Sequence, residues 1–368
     1  MSSAYLILEN GAVFKGRSFG YEGEAVGEVV FSTGMAEYLE TLSDPAYFGQ
    51  IVLQTFPLIG NYGIIPQDLG PGPAHLKAYI VRDWCQEPSN FRSEGTLDTF
   101  LRNHRIPGLF GIDTRKLTRL IRSNGVMNAM ISKTPELSEA QWAELRGYSI
   151  SGAVEAVAEQ RREWKVENGK SKVSEEQRDA GNKNSSRVVI WDFGSAFKLS
   201  GQFAAFGCDV SVVGHDATAD AILSLNPDGV AFSGGPGDPS ENTRIIGDIK
   251  ELCGKSVPIL AVGLGHQMLA LAHGARTGKL LFGHRGINQP VIHRKTGHAF
   301  VTTQNHGYTV ESDSLPGSAE VSYENLSDMT CEGIDYSDIP AFSVQFDPTG
   351  EIIERFMMMQ RKGASKCR

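Results

Sequence analysis

The sequence predicts an α/β protein of two domains: a β-rich N-terminal domain, then a domain of alternating strands and helices around a mostly parallel sheet. Three observations carry this. Residues 1–157 hold short apolar–polar alternations separated by turn residues. Residues 188–368 hold continuous apolar runs that alternate with helical patterns. Between them, residues 158–187 (AEQRREWKVENGKSKVSEEQRDAGNKNSSR) are almost all charged or small and polar. Such a stretch buries too little to fold alone, so it reads as a linker, part of it helical because Glu, Gln, Arg and Lys favour helix. A chain of 368 residues is long enough for two domains.

In the first domain, AYLILENGAVFKGRSFG (4–20) is two alternating runs around Glu-Asn-Gly, a hairpin signal. GEVVFST and GQIVLQTF read as further strands. In TRKLTRLIRSNG (114–125), Leu117, Leu120 and Ile121 recur at helical spacing and the pattern closes on Asn-Gly, which predicts a short amphipathic helix with a glycine stop. In the second domain, RVVIWDFG, DVSVVGH, DGVAFSGG and VPILAVG are strand-like, and TRIIGDIKELCG is helical. Ligands of such sheets sit outside the carboxyl ends of the strands. Both SGGPGDP (233–239) and GLGHQ (263–267) fall there.

Bulk composition excludes several functions. A formal net charge of −8 and a pI near 5.7 argue against a general nucleic-acid binder, which needs a basic face. No apolar run is long enough to span a membrane, and the N-terminus lacks the basic and apolar regions of a signal peptide. The five cysteines, Cys85, Cys208, Cys253, Cys331 and Cys367, are scattered with no C-x-x-C pair. That suits reduced thiols and a cytoplasmic location, with no zinc site and no metal.

Strand, Gly-rich turn and helix in AVGLGHQMLALAHGA (261–275) is how several hydrolase folds display a nucleophile, yet the apex is Gly263. SGGPGDP lacks the Lys and Ser/Thr of a phosphate-binding P-loop, so a tight turn offering backbone donors is the better reading. Cys208 in a predicted strand, Cys253 at a helix end and Cys331 in a β-rich stretch lie at no such elbow.

The stretches SGGPGDP, GLGHQMLALAHGA, QNHGY (304–308) and PAFSVQFDP (340–348) resemble the class I glutamine amidotransferase domain, which has a flavodoxin-like fold. VGEVVFSTGMAEYLETLSDPAYFGQIV (26–52), FPLIGNYG (56–63), SNFR (89–92) and GIDTRKLTRLIR (111–122) resemble the small subunit of carbamoyl phosphate synthetase. The resemblance implies a chain that hydrolyses glutamine. Its ammonia passes to a large ATP-using subunit, which makes carbamoyl phosphate for pyrimidine and arginine synthesis. ATP and Mg belong to that subunit, and no cofactor is expected in this chain.

The resemblance also implies a Cys–His–Glu triad. Its three positions fall on Gly263, Asp347 and Thr349, so no member is present. Acyl transfer from an amide needs a nucleophile and an adjacent base. A pseudo-glutaminase is therefore expected. Asp347-Pro-Thr-Gly reads as a polar turn closing a strand. The alternative is a residual amidohydrolase in which Asp347 holds a water over Gly263. By the same resemblance, Gly235 and Leu264 supply oxyanion-hole amides, and Gly235, Gly237, Leu264, Gln267, Asn305, Gly307 and Tyr308 line a glutamine pocket. A third reading is thus a sensor that binds glutamine or a related amino acid without consuming it. The family's DPSY serine is Ala46, and the lysine of its DFGAK is Ala196. His266 and His306 are expected to be structural.

Overall fold

The computed structural model describes residues 2–168 and 185–366. Its contacts divide the chain into two compact units. The first is Met1–Ala153 with Leu280–Asn288; the second is Val154–Lys279 with Gln289–Arg368.

The first unit is a closed barrel. Its strands are β1 (Ser3–Leu8), β2 (Val13–Gly20), β3 (Ala25–Ser32), β4 (Gln50–Gln54), β6 (Ala78–Val81), β8 (Pro107–Phe110) and β9 (Met127–Ser132), in the order β1-β2-β8-β6-β4-β3-β9. A short ribbon of β5 (Leu58–Ile59) and β7 (Asp83–Trp84) stands beside it. The β1–β2 hairpin forms as predicted: Asn10 Oδ1 accepts from the Ala12 amide at 3.0 Å, and Gly11 adopts φ 86°. β3 pairs with β4, β4 with β6 and β6 with β8 in parallel, which hairpins alone do not produce. Leu6, Val29, Ile51, Ile80 and Leu109 fill the interior with no exposure.

Helices α1 (Tyr38–Ser43), α2 (Leu97–Asn103), α3 (Thr114–Asn124) and α4 (Glu139–Gly147) complete this unit. α3 is the helix predicted from its periodicity. Asp113 caps it by accepting from the Lys116 amide at 2.9 Å, and Leu117 and Ile121 are fully buried.

α5 (Ala153–Asn168) carries helix into the first part of the expected linker. Residues 169–184 of that linker lie outside the described residues, and its last expected residue, Arg187, already opens β10.

The second unit is built on a nine-stranded sheet. Its strands are β10 (Arg187–Trp191), β11 (Asp209–Val213), β12 (Gly229–Phe232), β13 (Ile259–Val262), β14 (Thr277–His293), β15 (Ala299–Val310), β16 (Ala319–Asn325), β17 (Cys331–Tyr336) and β18 (Ala341–Val344). The order is β11-β10-β12-β13-β18-β17-β16-β14-β15. The first five strands are parallel, as the four apolar runs predicted, and the β18/β17, β17/β16 and β16/β14 pairs are antiparallel. Helices α6 (Ala196–Ala205), α7 (Ala219–Ser224), α8 (Thr243–Cys253), α9 (Leu264–Ala272) and α10 (Gly350–Lys366) accompany it. Two clusters form its core, one around Trp191, Phe193 and Phe232, the other around Phe203, Phe346 and Phe356. The middle of β14, residues 280–288, belongs to the first unit, which the expected boundaries of 1–157 and 188–368 leave out.

Candidate functional site

The carboxyl ends of β10, β12, β13 and β18 lie side by side in the parallel part of the sheet. Each runs into one of the segments singled out from sequence: Asp192–Ala196, Ser233–Gly237, Gly263 and Gln345–Thr349. Hydrogen bonds lock these turns together. Gly263 donates to Val344 O at 2.9 Å, Gly265 to Ser233 O at 3.1 Å, and Ser195 to Gly234 O at 3.1 Å. Ser233 Oγ accepts from the Phe193 amide at 2.8 Å.

Gly263 caps α9 with φ 56° and ψ −115°. This strained strand-to-helix conformation is one that a side chain rarely adopts. A Cβ here would stand 3.2 Å from Gly234 Cα and 3.9 Å from Gln345 O, so the space above the turn is tight but not closed. Gly235 is glycine for another reason: a Cβ would lie 2.2 Å from Phe193 O. Leu264 opens α9, so its amide is one of the donors a helix start leaves without an intrahelical acceptor.

Asp347 is half-buried in the irregular segment between β18 and α10. Its amide donates to Thr303 O at 3.0 Å, and its Oδ2 accepts from Lys198 Nζ at 3.1 Å. Sequence reading missed Lys198, which lies in α6 two residues beyond the Ala196 that replaces the family lysine. With the side chains 28% and 39% exposed, the ion pair adds about 0–1 kcal/mol. It ties up the carboxylate more than it stabilises the fold. Thr349 is exposed, and its carbonyl accepts from the Ile352 and Ile353 amides at 3.1 and 3.2 Å at the start of α10.

Gln267 is buried, and its Nε2 donates to Tyr308 O at 2.7 Å and to Gln345 Oε1 at 2.9 Å. Gln267 thereby links α9 to β15 and to Gln345 just beyond β18, a residue that sequence reading missed. Asn305, Gly307 and Tyr308 are half-buried on β15, and Gly237 lies in the turn after β12. Ala46 sits in a 3-10 turn of the first unit.

Both histidines are buried in networks. His306 bonds Tyr308 O through Nδ1 at 2.7 Å and Gln304 Oε1 through Nε2 at 3.0 Å. His266 Nδ1 meets Ser343 Oγ at 2.8 Å, and complete burial drives its pKa down to about 3. The imidazole is therefore neutral at pH 7.

None of the four described cysteines lies in the elbow. Cys208 sits in the turn before β11 rather than in the strand, because β11 begins at Asp209. Burial raises its thiol to about 11, and those of Cys253 and Cys331 to about 12. Such thiols are protonated at neutral pH and poor nucleophiles. Among the described residues no helix is long and apolar enough to cross a membrane.

Five parallel strands carry a Gly-rich elbow that opens α9, and residues 189–352, which include both, match the family glutamine amidotransferase class-I. Residues 6–131 match the family carbamoyl-phosphate synthase small chain, CPSase domain. The chain is 44% identical over 345 residues to the carbamoyl phosphate synthase small chain of Clostridium perfringens, covering 94% of this chain and 93% of that one. It is 42% identical over 371 residues to the small chain of Syntrophotalea carbinolica, with 98% of each covered. The pyrimidine-specific small chain of Bacillus subtilis is 41% identical over 374 residues, again with 98% of each covered. The chain belongs to the carbamoyl phosphate synthase small chain family.

Proposed function

We propose that this chain is a small subunit that docks on an ATP-using large subunit but does not hydrolyse glutamine. It holds or regulates a partner that draws on free ammonia. The observation that carries this is Gly263 at the apex of the elbow: the position offers no atom to attack an amide carbon. Asp347, at the expected position of the base, is engaged by Lys198, and Thr349 carries no carboxylate to orient one. Losing members of a catalytic triad costs roughly 10³–10⁶ in rate. The same ion pair disfavours an amidohydrolase that relies on a water held by Asp347.

The test is the complex purified with its cognate large subunit and assayed with glutamine and with ammonium. Carbamoyl phosphate should form from ammonium alone. Robust synthesis from glutamine, abolished when the pocket is blocked, would overturn the reading.

A second reading keeps the pocket as an amino-acid sensor. It is favoured by the anchored Gln267 and by the Leu264 amide at the start of α9. Calorimetry decides it: heat with glutamine at millimolar concentration supports the sensor, and no heat removes it.

A further inference from the structure

Lys198 puts a cation beside the elbow of the second unit. It lies in the first turn of α6, and the Ser195 amide ties the start of that helix to Gly234 O at 3.1 Å. Lys198 Nζ reaches Asp347 Oδ2 at 3.1 Å, and Gln202 Nε2, one turn on, donates to Pro348 O at 2.9 Å. The cation is thus held over the carboxyl ends of the parallel strands. The starts of α6 and α9 follow β10 and β13 at this edge, so two positive helix ends lie there. Leu264 opens α9 with an amide that has no intrahelical acceptor, and a Cβ on Gly235 would lie 3.0 Å from Leu264 Cδ2.

Helix starts alone do not make a site. A buried side chain gives the independent sign. Gln345 is 5% exposed, and its Oε1 accepts from Gln267 Nε2, in the first turn of α9, at 2.9 Å. Its Nε2 has no acceptor among the described residues. A donor left open on a buried side chain is costly unless something accepts from it.

We infer that this cleft binds a small carboxylate, such as the side chain of an acidic amino acid, with its oxygens on Lys198 Nζ, Gln345 Nε2 and the Leu264 amide. This rests on the reading above that the elbow hydrolyses nothing, which leaves the cleft to a ligand that stays intact. A carboxylate only accepts hydrogen bonds, so a cation and two further donors match it. A carboxamide must also place its own N–H donors. Gln345 O, 3.9 Å from an ideal Gly263 Cβ, offers one acceptor, but the carboxamide gains no ion pair with Lys198. The space above Gly263 is tight, which suits a planar group better than a tetrahedral one. Asp347 now occupies Lys198, yet a pair 28% and 39% exposed is weak. A ligand carboxylate held by further donors displaces it, and Asp347 turns to water.

The test is calorimetry on the full chain near neutral pH with L-glutamate and L-glutamine, probes of one shape that differ only in carboxylate against carboxamide. Glutamate should bind at least about tenfold more tightly than glutamine, and less tightly as salt rises. Lys198→Met should remove the preference, weakening glutamate about tenfold or more and glutamine by no more than about twofold. Asp347→Asn, which takes away the competing carboxylate, should tighten glutamate, and weaker binding there overturns the inference. If Lys198 only braced the fold, Lys198→Met would weaken both probes alike, and that result also overturns it. So does glutamine binding as tightly as glutamate to the wild-type chain, or no heat with millimolar glutamate. Release of glutamate from glutamine by the chain brings down the reading this rests on and the inference with it, whereas the binding outcomes bear on the inference alone.

Discussion

At Gly263 the backbone and the chemistry have come apart. The φ 56°, ψ −115° conformation that would aim a nucleophile is kept, while the residue has nothing to aim. Gly263→Ala should cost about 1–3 kcal/mol, from a strained side-chain conformation and a 3.2 Å approach to Gly234 Cα. Urea unfolding reads this directly, and an unchanged midpoint would mean the elbow relaxes. His266, three residues on, gives a pH signature. Its pKa is about 3 folded and about 6.5 unfolded, so between those values the unfolded chain binds the extra proton. The stability it contributes is complete above pH 6.5 and is lost as pH falls towards 3. Wild type should lose up to about 1.4 kcal/mol per pH unit from this group, and His266→Gln should remove that slope in unfolding measured from pH 7 to pH 4.

Elements with local signals behave as their sequence says. Asp113, the Leu117–Ile121 spacing and Asn124-Gly125 mark α3 at its start, face and end. Asp113→Ala should cost about 1 kcal/mol by orphaning the Lys116 amide, read as a lower thermal midpoint with unchanged helix content. The β1–β2 hairpin and the four parallel runs are legible for the same reason: turn chemistry and apolar period act over a few residues. Barrel closure is not legible, because β3 finds β4 and β9 through pairings that no local pattern specifies. Cys208 falls outside its expected strand because β11 begins one residue later, which shows how loosely an apolar run fixes its own end.

For the whole molecule, the proposed loss of glutaminase through Gly263, Asp347 and Thr349 predicts the result of restoring the triad residues. Gly263→Cys alone should give almost no glutaminase, since no base adjoins it. The triple variant Gly263→Cys, Asp347→His, Thr349→Glu should raise glutamine hydrolysis at least about 100-fold over the parent, within the range a triad commands. Glutamate release measures this. No gain in a folded triple variant would mean that the pocket has changed as well as the triad.

Sequence alone determined the two-part α/β plan, the elbow and its empty apex, because glycine punctuation, apolar period and the identity of three residues are local properties. Only the tertiary structure decided the rest. It passed residues 280–288 to the first unit, closed the barrel, and brought Lys198 onto Asp347 across 149 positions. Each of these depends on which distant segments pair, and that is set by the packing of the whole chain rather than by any window of it.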